Sequence, residues 1–152
     1  MKFYVTAAFN DPTHLPSLAR AAEEAGFGGV VVSDHVIYPG KLETRYPYTE
    51  SGRPRWQADT PWPDPLVAVG AMAAVTERLR FLVSIYVLGL RHPVLAAKSI
   101  ITAAVMSGNR LTLGIGAGWM REEFDLIGVP FEGRGRRMVE QVEILRTLCR
   151  GG

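Results

Sequence analysis

Cysteine is almost missing. Cys149 stands alone among 152 residues, so no internal disulfide and no cysteine-based metal site can be built. A lone thiol fits a reducing compartment, and the expected location is cytoplasmic. Histidine is sparse too: His14, His35 and His92 lie far apart, without metal-ligand spacing, and no metal is expected. Neither sign of charge dominates. The balance of 17 basic against 15 acidic residues leaves a formal net charge of +2, which calls for neither a nucleic acid nor a membrane, and neither is expected as a partner. The small basic cluster Arg134, Arg136 and Arg137 reads as a solvated helix start. The longest apolar run, Leu66 to Val75, is too short to span a bilayer. Met-Lys-Phe-Tyr-Val runs straight into strand-like residues, so no signal peptide is expected. There is no solenoid repeat, no nucleophile-elbow serine and no Walker lysine. Hydrolysis and metal catalysis therefore have no positive support.

What is present is apolar and regular. Hydrophobic residues make up 47% of the chain, enough for one globular domain over 1–152. Phe3 to Ala8 reads as a buried strand. Asp11-Pro12-Thr13 is a capping turn, and a helix follows with Leu15, Leu18, Ala22 and Ala25 on its apolar face and Arg20, Glu23 and Glu24 opposite. Gly26 ends it as a left-handed cap. Gly29 to Ser33 is a second strand, apolar at consecutive positions as a strand covered on both faces should be. Asp64-Pro65 marks the start of an apolar helix to Thr76. Leu79 to Val87 is a third strand. His92-Pro93 opens a helix to about Ser107, whose Ala96, Ala97, Ala103 and Ala104 permit close packing. Arg110 to Ile115 is a fourth strand. Short and long helices follow, near 122–127 and 136–148, the latter with Val139, Val142, Leu145 and Leu148 on one face.

Strand and helix alternate four times, which requires parallel strands joined by crossovers. Two α/β architectures satisfy this: an open doubly wound sheet, or part of a (β/α)8 barrel. In both, ligands sit at the carboxyl ends of the strands. That rule selects Ala7 to Asn10, then Ser33, Asp34 and His35, then Ser84, Ile85 and Tyr86, then Gly116, Ala117 and Gly118. His35 is the sharpest candidate, because imidazole moves protons near neutral pH. Its plainer reading is a satisfied polar residue at a loop entrance. Asp34 is adjacent, but neighbours on an extended chain point opposite ways. Between His35 and Asp64 lies a long segment carrying Tyr38, Tyr46, Tyr48, Trp56 and Trp62; loops of this length in compact domains are commonly functional.

Gly114, Gly116 and Gly118 alternate, so they are expected on one face, where the missing Cβ atoms would let a flat ring approach. The plainer reading is a glycine-rich turn that lets the next helix pack. This is not the G-x-G-x-x-G dinucleotide fingerprint, which follows a first strand.

Taken together and in order, Ser33-Asp34-His35-Val36, Ser84-Ile85, Arg91-His92-Pro93, the run Gly114 to Phe124 and the tail Phe131 to Leu145 resemble the bacterial luciferase-like monooxygenase superfamily. The likeness is to its coenzyme F420-dependent oxidoreductase branch and covers essentially the whole chain. It implies a (β/α)8 TIM-type barrel of which the chain holds the first four βα units, the N-terminal half. It implies a flavin-dependent oxidoreductase or monooxygenase acting on a small-molecule substrate, with coenzyme F420 as cofactor or FMN as the alternative. It implies a non-prolyl cis peptide at Ser84-Ile85 behind the cofactor ring, with Tyr86 beside it. Gly116, Ala117 and Gly118 would line the ring, Glu122 would face the cofactor's side chain, and Asp34 and His35 would lie near the reacting carbon with His35 as base. Ala117 stands where several relatives carry threonine. A full barrel needs about 250 residues, so the expectation is a fragment of the fold. The alternatives are a half-barrel that pairs with a second copy as a homodimer, or one that binds flavin without turnover.

Overall fold

The structure, a computed structural model, describes residues 1–150. Four parallel strands form one sheet: β1 (Tyr4–Thr6), β2 (Gly29–Val32), β3 (Arg80–Val87) and β4 (Leu111–Gly116). Their spatial order is their chain order. That sequence of neighbours separates the two architectures left open above. A doubly wound sheet places its first strand inside the sheet, whereas here β1 lies at the edge, as in a segment of a (β/α)8 barrel.

The helices are α1 (Leu15–Glu24), α2 (Pro65–Ala73), α3 (Pro93–Met106), α4 (Arg121–Leu126) and α5 (Arg134–Cys149). Each start has a local cause. Asp64 accepts the amides of Leu66 and Val67 at 2.9 and 3.1 Å, and Pro65 follows in the first turn. Asp11 caps the 3-10 turn Pro12–His14 that leads into α1. Gly26 closes α1 with φ +79°, as its left-handed role predicts.

The core lies between the helices and one face of the sheet. Val30, Val32, Phe81 and Val83 are buried there against Leu15, Ala19, Val69, Met72, Ala96 and Ala97, with Leu111, Leu113 and Ile115 packed alongside. The alternate residues Thr6, Ser84 and Thr112 are exposed on the other face, the one that would look into a barrel. Two face assignments differ from the sequence reading. Ala25 lies past the end of α1 and is exposed, while Ala19 fills the core instead. Val139 of α5 is exposed, because the helix turns Gln141 and Leu145 inward and rests Gln141 Nε2 on the carbonyl of Arg91.

Glu23 is the larger surprise on α1. Its carboxylate accepts the amides of Glu77, Arg78 and Leu79 at 2.6 to 3.2 Å. It thereby closes the turn between α2 and β3, where its place on the polar side of α1 predicted a solvated charge. Arg110 does parallel work, with its guanidinium bound to the carbonyls of Ala73, Leu79 and Ser107 and to Thr76 Oγ1.

Candidate functional site

The carboxyl ends of all four strands surround one cavity of about 540 Å³. β3 and β4 supply its floor. Their register slips between Ser84 and Tyr86, so that Ser84 faces Gly114, Tyr86 faces Ile115 and Ile85 is left over as a bulge. The Ser84–Ile85 peptide is cis. Ile85 is thrown onto the open face, 41% exposed, and its side chain lies across Gly116.

The glycines therefore do different jobs. A Cβ on Gly116 would come within 1.9 Å of Ile85 Cδ1. Gly118 does not share that face. It adopts φ +82°, and a Cβ there would press Val87 and the Phe124 ring at 2.7 and 2.9 Å. Gly116 is bare for the bulge beside it, and Gly118 for the turn into α4. Both still line the cavity with Ala117.

The walls are aromatic. Phe9, Tyr46, Tyr48, Trp56, Trp62 and Trp119 all border the cavity. Their rings meet mostly edge to face, with centroids 5.0 to 6.4 Å apart, an arrangement that aromatic quadrupoles favour. Phe9 holds φ +65°, unusual for a bulky residue, at the point where the chain leaves β1. The loop predicted to be functional thus forms the lid side of the site, and Trp56 is buried within it. Trp119 and Phe9 came from segments whose aromatic role the sequence did not announce.

His35 sits among these rings, 4.8 Å from Trp62, 5.0 Å from Trp56 and 5.9 Å from Trp119 between centroids. Its Nδ1 lies 3.1 Å from Glu123 Oε1, and the same oxygen accepts the Val36 amide at 2.6 Å. Glu123 is 1% exposed. The resemblance implied that its neighbour, Glu122, faces the cofactor's side chain, and the two carboxylates have separate duties here. Glu122 accepts the amides of Glu43 and Thr44 at 2.7 and 2.8 Å and ties the aromatic loop to α4; it does not border the cavity. Burial pushes the Glu122 carboxyl up, but the amide hydrogen bonds from Thr44 and Glu43 outweigh this and hold it below its ordinary value.

Asp34 borders the cavity as expected, but its carboxylate is buried and both oxygens are engaged. Oδ2 accepts from Arg91 Nη1 at 2.7 Å and from the Val87 amide at 2.9 Å, while Oδ1 accepts from Arg91 Nη2 at 2.9 Å. Tyr86, expected beside the cofactor ring, does not border the cavity. The bulge turns it toward the helices, where it is 1% exposed beneath Arg91, whose guanidinium carbon lies 4.3 Å from the ring centroid. Burial pushes the Tyr86 hydroxyl up to about 12 against the pull of Arg91.

Among the described residues no lysine or arginine borders the cavity, and no cluster of His, Cys, Asp or Glu could hold a metal ion. What the cavity offers is an apolar slot with a bulged floor, one imidazole, and the indole N–H of Trp62, buried without a partner. A flat heteroaromatic ring fits the slot: it covers Ile85 and stacks or abuts the indoles.

Four parallel strands in chain order, with a cavity at their carboxyl ends and a bulged third strand, define a segment of a (β/α)8-type barrel. Within that fold class, the chain belongs to the luciferase-like monooxygenase family, whose model matches residues 3–152. An uncharacterized protein of Mycobacterium tuberculosis is 38% identical over 151 residues, covering 99% of this chain and 52% of that one. An F420-dependent glucose-6-phosphate dehydrogenase of Beutenbergia cavernae is 33% identical over 144 residues, covering 92% of this chain and 38% of its own. The chain thus spans about half the length, or less, of these relatives. Among solved structures, an F420-dependent secondary alcohol dehydrogenase in complex with an F420–acetone adduct superposes with TM-score 0.72 at 22% identity, over 97% of this chain and 42% of that one. The FMN-bound oxygenating component of 3,6-diketocamphane monooxygenase from Pseudomonas putida gives 0.76 at 18%, over 97% and 40%. These two show the fold.

Proposed function

We propose that this chain forms the ring-binding half of a flavin- or deazaflavin-dependent oxidoreductase acting on a small organic substrate, with coenzyme F420 as cofactor and FMN as the alternative. The observation that carries the reading is His35, held among aromatic rings and lining the same cavity as the bulged Ile85 and the bare Gly116. When bound, a ring of this class supplies the hydride acceptor or donor, and FMN also supplies reactivity toward oxygen. The chain's own residues do the rest. Ile85 and Gly116 give the ring a floor, and Gly116, Ala117 and Gly118 border one side. Trp56, Trp62 and Trp119 exclude water. His35 takes or returns the substrate proton at Nε2, the nitrogen that has no hydrogen-bond partner among the described residues. Asp34, clamped by Arg91, fixes the strand end that carries His35. The absence of basic residues from the slot means that any phosphate-bearing tail must be held elsewhere.

The three tryptophans of the chain all border this cavity, so intrinsic fluorescence reports on it alone. Titration with oxidised F420, and separately with FMN, is expected to quench that emission saturably with one of them. Failure of both to quench would overturn the reading. The coverage of relatives, 52% or less, favours a second reading, in which the isolated chain binds the ring without turnover. Quenching without substrate-dependent bleaching of the cofactor would select it.

A further inference from the structure

We propose that Glu123 is the positioning residue for His35: it holds the imidazole as the Nδ1–H tautomer and turns Nε2 toward the cavity. Its bearing on proton transfer rests on the function proposed above, whereas the tautomer itself does not.

The geometry allows little else. Glu123 Oε1 receives the Val36 amide proton at 2.6 Å, so that oxygen is already an acceptor. An ionised carboxylate has no proton to give. The nitrogen 3.1 Å away must then carry the hydrogen, which leaves the lone pair on Nε2. Glu123 is 1% exposed and His35 9% at the side chain, so water does not compete for the contact. The backbone links the two partners: the amide that Glu123 binds follows His35 directly, and one oxygen thus fixes both the ring and the chain carrying it. An outer carboxylate or carbonyl that orients an imidazole in this way sets which nitrogen does the chemistry.

The other charged and titratable groups on the surrounding elements are spoken for. Asp34, at the end of β2, is bound by Arg91. Glu122, on α4, faces the amides of Glu43 and Thr44. Tyr46, on the loop, has its hydroxyl pushed further up by burial and by Tyr48. Among the described residues only Glu123 touches the imidazole through a hydrogen bond.

The test is long-range 1H–15N correlation of the imidazoles in the 15N-labelled chain. His14 and His92 are exposed and serve as internal references for the Nε2–H form that free imidazole prefers in water. Above neutral pH, His35 is expected as Nδ1–H. Glu123→Gln keeps an acceptor oxygen and should keep that tautomer. Glu123→Met removes the acceptor and should return His35 to the Nε2–H form. An Nε2–H His35 in the parent chain would overturn the proposal, and that result does not need the Met variant to fold. Tryptophan quenching by the cofactor should survive in Glu123→Gln, while any turnover should lose kcat with little change in KM. Loss of quenching in the parent chain would instead count against the proposed function and leave the tautomer standing.

Discussion

Asp34 shows how far a residue's neighbours can redirect its chemistry. By resemblance it was expected to lie near the reacting carbon together with His35. In the structure its side chain is fully buried and spent on Arg91, which is itself only 20% exposed. The guanidinium is bidentate, rests over Tyr86, and also reaches the Val87 carbonyl at 3.3 Å. Removing one partner of such a pair leaves a buried charge uncompensated, whereas removing both does not. Arg91→Met is therefore expected to cost about 3–5 kcal/mol of stability, and the double variant Asp34→Leu/Arg91→Met to regain most of it. Denaturant midpoints of the single and double variants check this; equal losses in both would contradict it.

At the scale of elements, the turn between α2 and β3 depends on a carboxylate from α1. The amides of Glu77 and Arg78, and to a smaller extent Leu79, hold the Glu23 carboxyl below its ordinary value of 4.5 despite the opposing effect of desolvation. A carboxyl lowered in the folded state adds stability that is complete above its unfolded value and fades as pH falls through the folded one. Stability of the parent chain should thus decline on acidification below about 4.5 more steeply than that of Glu23→Gln, the two curves converging once Glu23 is protonated. Thermal unfolding across that acidic range measures the difference, and parallel curves would count against it. The bulge in β3 belongs to the same scale. It alone explains why Ile85 meets the cavity and Tyr86 does not, and why a strand of unbroken β-formers fails to alternate through its end.

For the whole molecule, the sheet order implies an incomplete ring. Its helices α2 and α3 are apolar nearly all round, which is a property of covered helices. Between them runs a groove of about 960 Å³ bordered by Val67, Leu95 and Met106, which are 71%, 66% and 64% exposed. Apolar patches of this kind rarely face water unpaired. The 152-residue chain is therefore expected to self-associate. Leu95→Glu with Met106→Glu should shift it toward the monomer in sedimentation without altering its far-UV circular dichroism. A parent chain that sediments as a monomer at all concentrations would refute this. No helix among the described residues is long and apolar enough to cross a membrane.

Much of this was legible in residues alone, because its causes are local. Periodicity and capping placed all four strands and five helices to within a few residues: Asp64-Pro65 could start α2, and Gly26 could end α1, from their own side chains. The ordered motifs also pointed to the family and to the cavity's address at the strand ends. Other features needed the third dimension, because they depend on partners remote in the chain. Two adjacent glutamates at the start of α4 point about 100° apart on the helix, and nothing local tells which meets His35, 88 positions earlier. Asp34 was decided by Arg91, Glu23 by the amides of 77–79, and Gly116 by Ile85. Sequence sets what each residue can do; the packing of distant segments selects the one thing it does.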